Sequence, residues 1–180
     1  MREPVPRTFR IEWFIGIDPG LLGAVAIVGN GEARVFDAPI LVTQSKPRKG
    51  KAKIKREYEL VKIVDTIRSV PAWNSLAVFE KVGSRPDQGV VSMWTMGYGS
   101  GIWEMALTYA GIPYTRVSPL KWKNMMLEGV GHDKEASVLR AQQLFPHIDL
   151  HSERGAMRDG RAEALLLADY ARRMHAQGKL

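Results

Sequence analysis

Four carboxylates in this chain stand where isolated acids are costly. Asp18 closes the apolar run Phe14-Ile15-Gly16-Ile17, and Glu80 closes Leu76-Ala77-Val78-Phe79. Asp159 and Glu163 are four residues apart, the spacing that puts two side chains on one helical face. At about 100° per residue, Glu163 falls into the stripe formed by Ala164, Leu166, Leu167 and Tyr170. Isolated burial of a charge costs roughly several kcal/mol unless a partner compensates it. One site for hard divalent cations would explain all four acids, because Mg2+ prefers carboxylate oxygen. Two such ions about 4 Å apart suit in-line displacement at a phosphodiester, activating a water and stabilising the leaving oxygen. The expected cofactor is Mg2+, two per site, with Mn2+ as a substitute. Structural alternatives stay open for each acid: a turn-forming Asp-Pro-Gly at Asp18, an N-cap at Asp159, and ion pairs at Glu80 and Glu163.

The elements that must position these acids follow from local pattern. Trp13 to Asp18 and Ala24 to Val28 are short apolar runs ending in Pro19-Gly20 and in Gly29-Asn30-Gly31, the second a hairpin signal before Ala33 to Asp37. An antiparallel meander of three strands is expected. Glu57 to Val70, with Leu60, Ile63, Val64 and Ile67, predicts an amphipathic helix stopped by Pro71. Leu76 to Phe79 and Pro113 to Val117 predict buried strands. Helices are expected over Ile102 to Ala110, after Ser118-Pro119, over Asp133 to Phe145 with Asp133 as N-cap, and over Gly160 to Met174. Gly83 to Gly101 is rich in glycine and aromatic residues, and His147 to Arg158 is polar; both are expected as loop. A meander followed by alternating helices and strands implies an α/β architecture with helices on both faces of a mixed sheet. Strand ends carrying Asp18 and Glu80 would then lie where α/β sheets place their ligands.

A chain of 180 residues with 45% hydrophobic content supports one core and one domain. We expect a basic leader over 1–10, without the apolar run of a secretory signal, and one domain over 11–176. With no cysteine, disulfides and thiolate metal sites are excluded, and a soluble, cytoplasmic protein is the expected setting. No stretch reaches the roughly 20 apolar residues of a membrane span. Net charge is +7, and the segment from Lys46 to Arg56 holds seven basic residues and no acids. Lys49, Lys51, Lys53, Lys55 and Arg56, in a basic flexible segment over 44–56 with Pro47 and Gly50, are expected to follow phosphates; a merely solvated loop is the alternative.

The order Ile15-Gly16-Ile17-Asp18-Pro19-Gly20, then Val78-Phe79-Glu80, then Asp159-Gly160-Arg161-Ala162-Glu163-Ala164-Leu165 resembles the RuvC family of Holliday-junction resolvases, and most closely its phage and chloroplast branches. The likeness runs over roughly residues 12 to 175 and includes Val117-Ser118-Pro119-Leu120-Lys121-Trp122-Lys123. It implies an RNase H-like fold: a five-stranded mixed sheet, antiparallel meander plus parallel strands, flanked by helices. Asp18, Glu80, Asp159 and Glu163 would be the metal ligands, and Lys123 and Lys134 active-site cations that hold phosphate or offset transition-state charge. The spacing of four and the final glutamate depart from the bacterial pattern of three and aspartate, and the chloroplast branch has histidine where this chain has Asp159. Arg85, Gln88 and Tyr98 fall in the region with which resolvases enter the junction. The resemblance further implies a homodimer making paired symmetric nicks in a four-way DNA junction, in a bacterial cell or phage-infected host. Trp94 and Trp103 could instead be core or dimer-interface residues, the reading preferred for Trp103 because it lies within a helix.

Other readings remain at this point. Actin-like ATPases and sugar kinases also open with a strand, an acid and glycine, but need two lobes that this length does not supply. A non-catalytic junction-binding module would leave Glu163 without purpose in its apolar stripe. A relative acting on flaps or RNA–DNA hybrids would share the whole site.

Overall fold

The computed structural model describes residues 10–44, 54–83, 89–151 and 159–180. Strands β1 (Trp13–Asp18), β2 (Ala24–Gly29) and β3 (Glu32–Asp37) form the expected meander, with Asn30 and Gly31 both at positive φ in the two-residue turn. Those left-handed conformations match the twist of a tight hairpin, and Asn-Gly adopts them at little cost. Strands β6 (Ser75–Glu80) and β7 (Tyr114–Val117) add in parallel, so the five-stranded sheet runs β3-β2-β1-β6-β7. The central strands are buried on both faces, whereas β7 is an edge strand with Thr115 and Arg116 exposed.

Side chains alternate across the sheet with period two. Ile15, Ile17, Ala77 and Phe79 face a core with α1 (Leu60–Ile67) and α2 (Val90–Ala110). Phe14, Leu76 and Val78 face the other core, with α3 (Pro119–Met126), α4 (Lys134–Leu144) and α5 (Asp159–Ala176). Asp18 and Glu80 continue this second set. They therefore emerge from adjacent parallel strands on the face that α5 covers. Among the described residues no helix is long and apolar enough to cross a membrane.

Two segments differ from expectation. Residues at both ends of the basic 44–56 segment pair as a separate hairpin, β4 (Ile40–Gln44) with β5 (Ile54–Tyr58), so Lys55 and Arg56 sit on a strand opposite Thr43 and Val42. Backbone pairing along Ile40-Leu41-Val42-Thr43 overrides the charge density that suggested a mobile arm, and α1 consequently starts at Leu60 rather than Glu57. Likewise α2 begins at Val90, through glycines 97, 99 and 101. A helical glycine costs about 1 kcal/mol, but Gly99 is where α2 crosses the Tyr58 hydroxyl and the Pro19 carbonyl, and a Cβ there would collide with both. Trp103, Ala106 and Leu107 then bury one side of the rest of the helix, which puts Trp103 in the core, one of its two expected places.

The most buried acid among the described residues is Asp169, which is none of the four candidates. It is 1% exposed and is held by Arg172 and Arg173 one turn further along α5, a structural ion cluster away from Asp18. Arg161 is turned inward at the first turn of the helix. It is bidentate to Asp37 of β3, at 2.6 and 3.1 Å, and also donates to the carbonyls of Asp149 and His151. This ties the start of α5 to the sheet.

Candidate active site

Two glycines bring the last helix onto the strand that ends at Asp18. A Cβ at Gly16 would collide with the Ala164 carbonyl oxygen and the Ala168 nitrogen, so α5 lies directly on the backbone of β1. At the helix start, a Cβ on Gly160 would stand 2.8 Å from both Gly23 Cα and Leu22 O, and 3.1 Å from Asp18 Oδ2. Close approach at these two points, at Gly160 before Glu163 and at Ala164 and Ala168 after it, sets the first turn of α5 over the end of β1.

Asp18 is the centre of the resulting cluster. Its Oδ1 accepts from the Gly20 N–H at 3.2 Å in the Asp-Pro-Gly turn, and the turn is pinned by the Tyr58 hydroxyl donating to Pro19 O at 2.8 Å. Burial pushes the Asp18 carboxyl up to about 7; the Gly20 N–H opposes this, and the negative charges of Glu163, Glu80 and Asp159 reinforce it. Asp18 is thus close enough to feel each of the other three candidate acids. Tyr58 is itself pushed up to about 12 by burial and by Asp18.

The lysines arrive from the helices that follow. Lys123 of α3 donates to Glu163 Oε1 at 2.8 Å, with both side chains mostly buried. Lys134, the first residue of α4, pairs with Asp159, and this hydrogen bond raises the lysine pKa. For Asp159, burial alone would raise the carboxyl, but the Lys134 ammonium together with the Asp159 and Gly160 backbone N–H groups outweighs it, and the net shift is downward. Glu80 accepts from the Trp122 indole at 3.1 Å. Asp133 caps α4 through the Ala136 N–H at 2.7 Å, as its sequence position suggested. Asp159 is the first described residue of α5.

Oxygen-only donors, a desolvated carboxylate and a surplus of mutually repelling acids fit a hard divalent cation in chemistry and charge. Among the described residues, however, no three His, Asp or Glu side chains already converge on one ion position. Glu163 and Asp159 are turned onto Lys123 and Lys134, and Glu80 onto Trp122. The arrangement is neither a finished cage nor a scatter of independent ion pairs. The lysines offset charge that bound cations would otherwise neutralise.

The raised Asp18 pKa has a stability consequence with a definite sign. Between about pH 4 and 7 the folded, metal-free protein keeps a proton that the unfolded chain has lost, so stability falls as pH rises through that window. The full difference would be worth about 4 kcal/mol, and the partial solvent contact of Asp18 reduces it to about 1–2 kcal/mol. Asp18→Asn in chelator is therefore expected to melt about 2–8 °C above the unsubstituted protein at pH 8, and at nearly the same temperature at pH 4. Calorimetry showing an equal shift at both pH values would contradict this origin.

Of the other expected DNA contacts, Tyr98 is half-exposed on α2 and stacks on Trp94, ring centroids 5.0 Å apart and 13° from parallel. Its other neighbour is Tyr58, the residue that pins the Asp18 turn. Lys55 and Arg56 are exposed on β5, with Lys55 paired to Glu57 at 2.6 Å. Lys49, Lys51, Lys53, Arg85, Gln88 and nearly all of the basic leader lie outside the described residues. Sequence reasoning missed Trp122 and Tyr58 as neighbours of the acids. For Trp122 the available signal was an aromatic residue directly before Lys123, one turn after Ser118-Pro119.

A mixed sheet in the order 3-2-1-6-7, with its acids on the face covered by the final helix, is an RNase H-like fold. Two solved structures share it: Thermus thermophilus RuvC, with TM-score 0.56, 18% identity, and coverage of 92% of this chain and 96% of that one; and T. thermophilus RuvC in complex with Holliday junction substrate, with TM-score 0.58, 15% identity, and coverage of 93% and 97%. No family model and no curated protein sequence matches this chain.

Proposed function

We propose that this protein is a divalent-metal-dependent DNA endonuclease that resolves four-way junctions by paired symmetric nicks. The observation that carries the reading is the gathering of Glu80, Asp159 and Glu163 around the desolvated Asp18, with Lys123 and Lys134 interleaved. The fold likeness to a RuvC bound to a Holliday junction supports the choice of substrate.

Asp18, Glu80, Asp159 and Glu163 would hold two Mg2+ ions, or Mn2+ in their place. Bound there, the metal would supply Lewis acidity toward the phosphodiester and a water nucleophile at neutral pH. Asp18 contributes a carboxylate whose desolvation strengthens its attraction for a cation. Lys123 and Lys134 keep Glu163 and Asp159 in place, and their ammonium groups lie ready to contact non-bridging phosphate oxygens. Tyr58, by holding Pro19 O, keeps the backbone of the Asp18 turn from shifting as DNA enters. The Trp94–Tyr98 stack presents an exposed aromatic face for unpaired bases. Lys49, Lys51, Lys53, Lys55, Arg56, Arg85 and Gln88 are assigned to phosphate and junction contacts. The remaining exposed apolar surface of α2, with Val90, Val91 and Met105 each at least 65% exposed, suits a homodimer.

Four-way, flap and RNA–DNA hybrid substrates incubated with and without Mg2+ test the proposal. Symmetric nicking of the four-way junction only with Mg2+, lost in Glu163→Gln while junction binding persists, is the expected result. Equal cutting of all three substrates would point to a general nuclease, and binding without cleavage to a non-catalytic module; either overturns the reading.

A further inference from the structure

We propose that Trp122 is a positioning residue of this site: its indole N–H holds one oxygen of Glu80 while its ring face carries Lys123. The inference rests on the nuclease reading above and deepens it.

The placement follows from the chain path. Val117, the last residue of β7, pairs with Glu80, the last residue of β6. Ser118 and Pro119 then turn the chain directly into α3. One turn later Trp122 and Lys123 have come back over the strand end they just left. Trp122 is fully buried, in the core cluster that includes Val117, Met126 and Leu127. A large aromatic residue so enclosed has no alternative rotamer to visit, so its N–H direction is set by core packing. It meets Glu80 Oε1 at 3.1 Å, and Lys123 Nζ lies 5.1 Å from the ring centroid while bonded to Glu163 at 2.8 Å. One rigid side chain thus touches the carriers of both charges.

Chemistry makes indole suited to this place. It donates one hydrogen bond and accepts none, so it orients a carboxylate without competing for the cation or taking up a proton. Its ring face favours an ammonium group without neutralising it. Core filling alone does not secure such a bond: Trp103 is equally buried, and its Nε1 has no hydrogen-bond partner among the described residues. Groups that orient metal-binding side chains typically change metal affinity by about 10–100-fold when removed.

The test uses Trp122→Phe and a variant carrying 3-benzothienylalanine at 122, which keeps the indole shape and lacks the N–H. Mn2+ affinity is measured by calorimetry on the protein without DNA, beside melting temperature, junction affinity and the Mg2+ concentration that gives half-maximal cleavage. Both variants are expected to bind Mn2+ about tenfold more weakly and to need correspondingly more Mg2+, with junction affinity within twofold. In a Glu80→Ala background the substitution at 122 should have no further effect on Mn2+ affinity. Affinity within twofold of the unsubstituted protein, or an equal loss with and without Glu80, would overturn the proposal. Should Trp122→Phe fail to fold, the benzothienyl variant decides. An unsubstituted protein that binds no Mn2+ would sink the nuclease reading and this inference together, whereas normal cleavage with unchanged metal affinity in the variants would sink the inference alone.

Discussion

In single-turnover reactions with Mg2+, Asp18→Asn is expected to nick a four-way junction at least about 10³-fold more slowly than the unsubstituted protein. The substitution keeps the shape of the side chain and an acceptor for the Gly20 N–H, so the turn survives. What it removes is the charge at the centre of the cluster, a desolvated carboxylate influenced by all three other acids. An amide cannot replace that charge in holding a divalent cation, so the loss falls on the chemical step. DNA binding should behave oppositely. Affinity for the junction in metal-free buffer is dominated by cations meeting phosphates, and removing a negative charge leaves it equal or tighter. Cleavage within tenfold of normal would show that Asp18 is not at the reacting centre. Because the same substitution should raise the melting temperature in chelator at pH 8, inactivity could not be blamed on misfolding.

Gly16→Ala is expected to be the most damaging single methyl group in the sheet. The added carbon would collide with the backbone of α5 at Ala164 and Ala168, not with a flexible side-chain tip. Backbone atoms on both sides belong to regular elements, β1 and α5, so relief requires moving the whole helix away from the strand. Overpacking of this kind costs about 3 kcal/mol or more, which for a chain of this size lowers the melting temperature by about 6–12 °C. Any protein that still folds should cleave poorly, since α5 carries Asp159 and Glu163. By contrast, alanine at Gly97 meets nothing within 4 Å on the described chain, and should stabilise α2 by up to about 1 kcal/mol. A melting temperature for Gly16→Ala within 2 °C of normal would refute the close-packed account of how the site is assembled.

Much of the architecture was legible because it depends on periodicity. The meander, the strand ending at Glu80, the helix capped by Asp133 and the final helix all follow from apolar spacing and turn residues over short windows. The acids were conspicuous for the same reason: Asp18, Glu80 and Glu163 interrupt patterns that otherwise read as core. Local signals misled where a distant surface set the outcome. Gly97, Gly99 and Gly101 argue against helix by propensity, yet α2 runs through them because Gly99 must pass close to Tyr58 and Pro19. The ends of the 44–56 segment looked solvated by charge, yet pair as β4 and β5.

From its residue order alone this chain determined its strands, its helix faces and which acids had to find compensation, since those depend on neighbours within a few positions. Only the folded structure decided what each acid meets: Lys123 for Glu163, Lys134 for Asp159, the Trp122 indole for Glu80 and a backbone turn for Asp18. Such partners lie 40 or so positions apart for Glu80 and Glu163. Their meeting depends on the crossing of α3 and α5 over adjacent parallel strands, and on a methyl-sized gap at Gly16, quantities that exist only once the layers are packed.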